Sequence, residues 1–357
     1  MMKKIPFDEK ELEIIRTESD GRSESPVYNT PVSRREAYMS AIMDTEPYWI
    51  PIGNECTNFC PSVIPDNIAR GFVYEGEKWP KEYTVDKDMF GIEWVYVPQV
   101  GGSMVKPGNP LMDDVSEWRE KVVFPDIETW DWAGSAEKNK AYLSQGRCNK
   151  MTLLNGCWFE RLISFMDFEN AAIAMIDEDS IPDLKALLHE LTTLYINIID
   201  KCLEYYDLDG FQIHDDWGSQ RSPFFSDAAG RECILPEMKR FVDHIHSKGK
   251  FIELHSCGHN EDRCNIFVEA GFDAWSPMNM NNTSALYEKW GDKIAIGVYP
   301  QEFGYTKDMT PEEETELAKQ YVDRLTKPGT KVVLAGRDTS QHFKEQVYKY
   351  SRIRYAE

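Results

Sequence analysis

His255 and Cys257 stand two residues apart, where a short apolar run, Phe251 to Leu254, gives way to a loop. The run is too short for a helix and is bounded by Gly249 and Gly258, so it reads as a buried strand. Side chains alternate across a strand, which sends His255 and Cys257 to one side and Ser256 to the other. A neutral imidazole and a thiolate on one face make half of a tetrahedral zinc site. The plainer alternative is a buried cysteine acting as a small apolar filler. His214, Asp215 and Asp216 form a second cluster, in which alternation groups His214 with Asp216 and turns Asp215 away. An imidazole beside two carboxylates could be an acid–base set, a metal-binding edge or a clamp for substrate. The competing role is structural, because Asp commonly caps the helix that follows a strand. Glu160 and Arg161 read as structural, a carboxylate favouring the positive end of a helix.

Both clusters end strands that belong to a regular alternation. From Lys150 onward the pattern gives strands at Met151–Asn155, Asp209–His214, Lys250–His255, Phe272–Ser276, Lys293–Val298 and Lys331–Ala335. Helices are expected at Trp158–Phe165, Ser180–Tyr206, Glu232–Lys248, Asp262–Ala270, Ser284–Trp290, Pro311–Thr326 and Ser340–Arg354. Two earlier strands, Tyr48–Gly53 and Gly91–Val97, bring the total to eight, preceded by helices at Glu9–Arg16 and Arg34–Met43. The fold expected is α/β, a (β/α)8 TIM barrel, with long loop insertions at 54–90 and 98–125. A doubly wound sheet is the alternative, but no G-x-G-x-x-G follows an early strand. Residues 1–44 read as an extension and helix packing on the barrel, and 45–357 as a single barrel domain.

In such barrels chemistry sits at the C-terminal ends of the strands. Collecting those ends places Trp158, Trp217, Phe224, Phe225 and Trp275 as flat walls for a ligand, each against the alternative of ordinary loop packing. Gln220 and Asn279 join them as polar contacts. The net charge of -21 over 357 residues argues against nucleic acid as a partner. Apolar runs fall short of a membrane span and the N-terminus lacks a signal core, so a cytoplasmic location is expected. Eight cysteines spread through a chain of this size read as free thiols.

The segments N-G-C-W-F-E-R-L-I-S-F-M-D-F-E-N (155–170), H-D-D-W-G-S-Q-R-S-P-F-F-S (214–226), L-H-S-C-G (254–258) and E-A-G-F-D-A-W-S (269–276) carry a family likeness. They resemble the uroporphyrinogen decarboxylase superfamily, in its corrinoid-dependent methyltransferase branch. The resemblance implies methyl transfer between a corrinoid protein and a small donor or acceptor: a methoxylated compound, a methylamine, a thiol or tetrahydrofolate. It implies His255 and Cys257 as zinc ligands and cobalamin carried by the separate corrinoid protein. It also points to His214, Asp215 and Asp216 as catalytic residues, and to Trp158, Trp217, Gln220, Phe225, Trp275 and Asn279 as the wall that meets substrate or corrin.

Relatives in that branch carry a further Cys near the last strand, where this chain reads L-A-G-R-D (334–338). Glu55, Glu302, Cys56 or Cys157 could replace it, or the metal could be lost. The segment with which decarboxylases grip porphyrin carboxylates is also missing. A metal-free carboxy-lyase of the uroporphyrinogen decarboxylase kind, using Asp215 or Asp216, and a non-catalytic ligand-binding relative remain as alternatives. A homodimer stays open.

Overall fold

The computed structural model describes residues 4–19, 24–44, 47–77, 87–97, 102–336 and 338–357. Seven parallel strands form one sheet: β1 (Cys56–Phe59), β2 (Cys148–Leu153), β3 (Gly210–His214), β4 (Phe251–Ser256), β5 (Ala274–Pro277), β6 (Ala295–Val298) and β7 (Val332–Leu334). Each strand pairs with its neighbour in chain order. The two ends of the sheet approach each other, where the N–H of Leu334 donates to the carbonyl of Pro51, just ahead of β1, at 3.0 Å. A parallel sheet curling end to end, with a helix between most successive strands, is a TIM-barrel-like fold.

The helices dock because their apolar residues recur at helical spacing. Ile181–Tyr205 buries Leu184, Leu187, Leu188, Leu191, Tyr195, Ile198 and Cys202 along one stripe. Leu235–Ser247 has Pro in its first turn and buries Met238, Phe241, Val242 and Ile245. The helix Arg34–Met43, opened by the Ser33 hydroxyl accepting from the Glu36 N–H, buries Ala37, Tyr38, Ala41 and Ile42. Its Tyr38 ring lies 5.8 Å from that of Phe251, at the N-terminal end of β4.

The early part of the chain departs from expectation in three places. Tyr48–Gly53 forms no ladder strand, because the Glu55 carboxylate takes the N–H groups of Ile52 and Gly53 and the indole of Trp49, and Pro51 has no N–H to offer. The first barrel strand instead begins at Cys56, inside the stretch that reads as loop. Trp94–Val97 is a strand, but it pairs antiparallel with Gly102–Val105 in a separate ribbon, so among the described residues the barrel sheet has seven strands rather than eight. Aromatic and β-branched residues suit a ribbon as well as a barrel, and their pattern does not separate the two. Lastly, of the helix expected at Glu9–Arg16 only Glu9–Leu12 is helical, as a single 3-10 turn, and its last residues open the strand Ile14–Ser19, which pairs antiparallel with Glu24–Tyr28.

The helix Phe159–Ala174 is broken at Met166 and Asp167, where Asp167 takes φ 60°. The carbonyl of Phe165 accepts instead from the N–H groups of Leu111 and Met112, at 2.7 and 3.1 Å. The break is thus held by a neighbouring loop. Among the described residues no helix is long and apolar enough to cross a membrane.

Candidate metal centre

Parallel register sets His214, His255 and Ser276 side by side across β3, β4 and β5. The Nδ1 of His255 lies 2.9 Å from the Ser276 carbonyl. A carbonyl only accepts, so Nδ1 carries the proton and Nε2 is left with a free lone pair in the neutral ring. That lone pair faces Cys257 Sγ at 3.4 Å. Zinc–sulfur and zinc–nitrogen bonds of about 2.3 and 2.0 Å at a tetrahedral angle would separate the two donors by roughly 3.5 Å. The pair is therefore spaced as two ligands of one ion.

Asp216 supplies a third donor. Its Oδ1 accepts from the Cys257 N–H at 2.8 Å. One donor atom from each of Asp216, His255 and Cys257 lies within 4.8 Å of the other two. All three residues are half-buried. Burial pushes the Cys257 thiol far above its usual range, and the carboxylates of Asp216 and Glu160 push it further. A thiol in this field stays protonated until a cation offsets the negative charge.

The turns bearing these groups are locked to each other. A Cβ on Gly258, at φ 95°, would collide with the carbonyl of Gly218, so the turns after β3 and β4 can touch only because both residues are glycines. The N–H of His259 donates to the Ser219 carbonyl at 2.7 Å across the same contact.

Asp215 has a different role from its neighbour. Its carboxylate is fully buried and accepts from the N–H groups of Trp158, Phe159 and Glu160, at 3.1 to 3.3 Å, and from the Trp217 indole at 2.5 Å. It caps the helix Phe159–Ala174. Burial lifts the carboxyl to about 8, against the pull of those donors. Gly156 makes the approach possible, since a Cβ there would strike both the His214 carbonyl and Asp215. Of the three residues expected to be catalytic, Asp215 is thus a structural cap. His214 and Asp216 flank the donor set, the His214 and His255 rings lying 4.6 Å apart by centroid.

The aromatic wall also moves. Trp158, Trp217 and Trp275 are at most 1% exposed, and Phe225 is 7% exposed. Trp158 packs edge-on against Phe241 and donates to Thr192. Trp217 and Trp275 both pack on Phe267, and Phe225 packs on Phe159 and Trp217. Their rings belong to the core behind the mouth. Gln220 and Asn279 are exposed. Phe224 and the 45% exposed Phe168, with ring centroids 4.9 Å apart, form the accessible aromatic edge.

Cys157 is buried without joining the donors, Glu302 accepts from the N–H groups opening the helix Thr283–Trp290, and Glu55 and Cys56 lie at the start of β1. Asp216, rather than any of these, brings a carboxylate oxygen within reach of His255 and Cys257. Sequence reading gives Asp216 among its alternatives but misses a charged wall behind it. Glu160 is buried, pairs with Arg70 at 2.6 Å, and is raised by burial and by Asp216. Arg161, fully buried, joins Asp66, Asp88 and Tyr195. Asp66 and Arg70 belong to the five-residue helix Pro65–Ala69 and its C-cap, too short to leave a periodic signal, and Asp88 comes from a separate early segment.

No protein-family model and no curated protein matches the chain. Its fold is similar to that of a solved methyltransferase from Methanosarcina mazei, at 12% identity and a TM-score of 0.59, covering 90% of this chain and 99% of that one. A xylose isomerase-like TIM barrel protein from Mycobacterium smegmatis is more distant, at 9% identity and a TM-score of 0.30, covering 65% and 91%.

Proposed function

We propose that this chain is a corrinoid-dependent methyltransferase of the uroporphyrinogen decarboxylase type, which holds zinc on His255, Cys257 and Asp216. The observation that carries the reading is the donor triad at the ends of β3 and β4, with His255 presenting a lone pair to Cys257. The barrel-like fold shared with a methyltransferase is consistent with it. Zinc bound there would supply Lewis acidity for a thiol, methoxy or folate group.

The chain's own residues then divide the work. The Ser276 carbonyl orients His255, and Asp216 fixes the Cys257 backbone while offering an oxygen donor. His214, its ring beside that of His255, accepts or returns the proton of the methyl acceptor. Glu160, held by Arg70, places a second carboxylate near Asp216. The corrinoid protein would meet the rim at Phe168 and Phe224 and bring its cobalamin over the triad. Decarboxylation on Asp215 has no comparable support, since four N–H groups already occupy that carboxylate.

The test is metal analysis of the purified chain beside Cys257→Ala, followed by methyl transfer from methylcobalamin to a panel of thiols. About one zinc per chain, lost in the variant, is expected. No zinc in either protein, or transfer unaffected by its removal, would sink the proposal.

A further inference from the structure

A second concavity lies where the two ends of the barrel sheet meet. β1 and β7 are not laddered together, and the middle of β1 stays open, so that Asn58 is exposed although it belongs to a barrel strand. A Cβ on Gly53 would meet nothing within 4 Å. Through this gap an inner chamber of about 240 Å3, reaching Lys150 and Glu253, shares Gly53, Cys56 and Asn58 with an outer pocket of about 390 Å3. Barrels of this kind are normally filled by side chains in that layer.

Among the described residues around the gap, one ammonium has no ion-pair partner. Inside, Lys150 pairs with Glu253 at 2.5 Å, and Glu253 also accepts from Gln212 at 2.7 Å. Arg147, on the outer wall, pairs with Glu18 at 3.1 Å. Glu55 lies nearby, with its carboxylate already accepting from Trp49, Ile52 and Gly53. The ammonium of Lys344, half-buried on the helix Gln341–Ala356, makes no hydrogen bond or ion pair among the described residues. Burial holds its ammonium below the ordinary lysine range, and Glu55 only partly restores it. Gln341 shares the pocket and has one amide hydrogen bonded to Tyr28.

We propose that this seam pocket binds a small anion, a carboxylate or phosphate group, through an ion pair with Lys344 and amide contacts from Asn58 and Gln341. A desolvated ammonium facing a polar cavity gains most from an anion that fits inside. The site is separate from the donor triad, so it holds whether or not the methyltransferase reading does.

The experiment titrates the full chain with inorganic phosphate and, separately, with acetate, at constant ionic strength. Binding is followed by calorimetry and by the thermal midpoint. One of the two anions should bind and raise the midpoint in the wild type, in Cys257→Ala and in Lys319→Met, which removes an exposed lysine elsewhere. Lys344→Met should weaken that binding by about tenfold or more. Asn58→Leu, which fills the gap and keeps the charge, should do the same and serves if Lys344→Met does not fold. Phosphate binding without acetate identifies a phosphate ligand, and the reverse a carboxylate. Binding of neither anion, or equal loss in Lys344→Met and Lys319→Met, overturns the proposal.

Discussion

His255 gives its Nδ1 proton to the carbonyl of Ser276, 2.9 Å away on the adjacent strand, and this bond aims Nε2 at Cys257. The ring is held by backbone, so its aim does not depend on another side chain. Replacing Ser276 by Ala should therefore leave zinc affinity within about threefold of wild type, whereas His255→Ala should abolish stoichiometric zinc. Competition with a chromophoric chelator reads both.

The adjacent aspartates should separate cleanly. Asp216→Asn keeps the acceptor for the Cys257 N–H and so should fold normally, yet lose about tenfold or more in zinc affinity. Asp215→Ala leaves three backbone N–H groups and an indole unpaired in the core, at a cost of about 2–4 kcal/mol. Urea denaturation and metal content, measured on both variants, should give opposite patterns. Equal loss of metal and stability in both would contradict the division of roles.

The rim predicts a partner effect. Phe168→Ser should raise KM for a methylated corrinoid protein while leaving zinc content and transfer from free methylcobalamin unchanged. A variant that behaves like wild type with the corrinoid protein would remove this edge from the docking surface.

One helix-to-strand tie should respond to pH. His246 Nε2 lies 2.8 Å from Asp273, whose carboxylate also accepts from the Ile252 N–H of β4. That bond to Asp273 raises the His246 pKa above its ordinary 6.5. Its contribution is complete below about 6.5 and fades as pH climbs through the raised folded value. Between pH 6 and 8.5 the wild type should lose more stability than His246→Gln, by urea midpoint. Parallel loss in both would refute the linkage.

Where strands alternate with amphipathic helices the fold is legible, and Phe251–Ser256 and Arg34–Met43 fall where periodicity puts them. The same alternation pairs His255 with Cys257 and sets Asp215 apart from Asp216, because strand geometry is local. The first barrel strand is not legible, since its approach is stabilised by a carboxylate rather than a ladder. Nor is the fate of the indoles: Trp158 and Trp217 lie at strand ends as expected, but both are buried, packed on Phe241 and Phe267. Asp66, in the short helix Pro65–Ala69, and Arg70 at its end reach Arg161 and Asn155 from far away in sequence, and such contacts leave no periodic trace.

The oxygen that Asp216 would contribute to the proposed centre bears on which element that centre would select. One sulfur, one nitrogen and one carboxylate make a harder donor set than one nitrogen with two thiolates, and harder sets discriminate less against Fe(II) and Co(II). Supply, more than ligand preference, would then decide occupancy in the cell. Asp216→Cys should sharpen selection for zinc over cobalt in a competition titration, with the sulfur-to-cobalt charge-transfer band reporting the cobalt form.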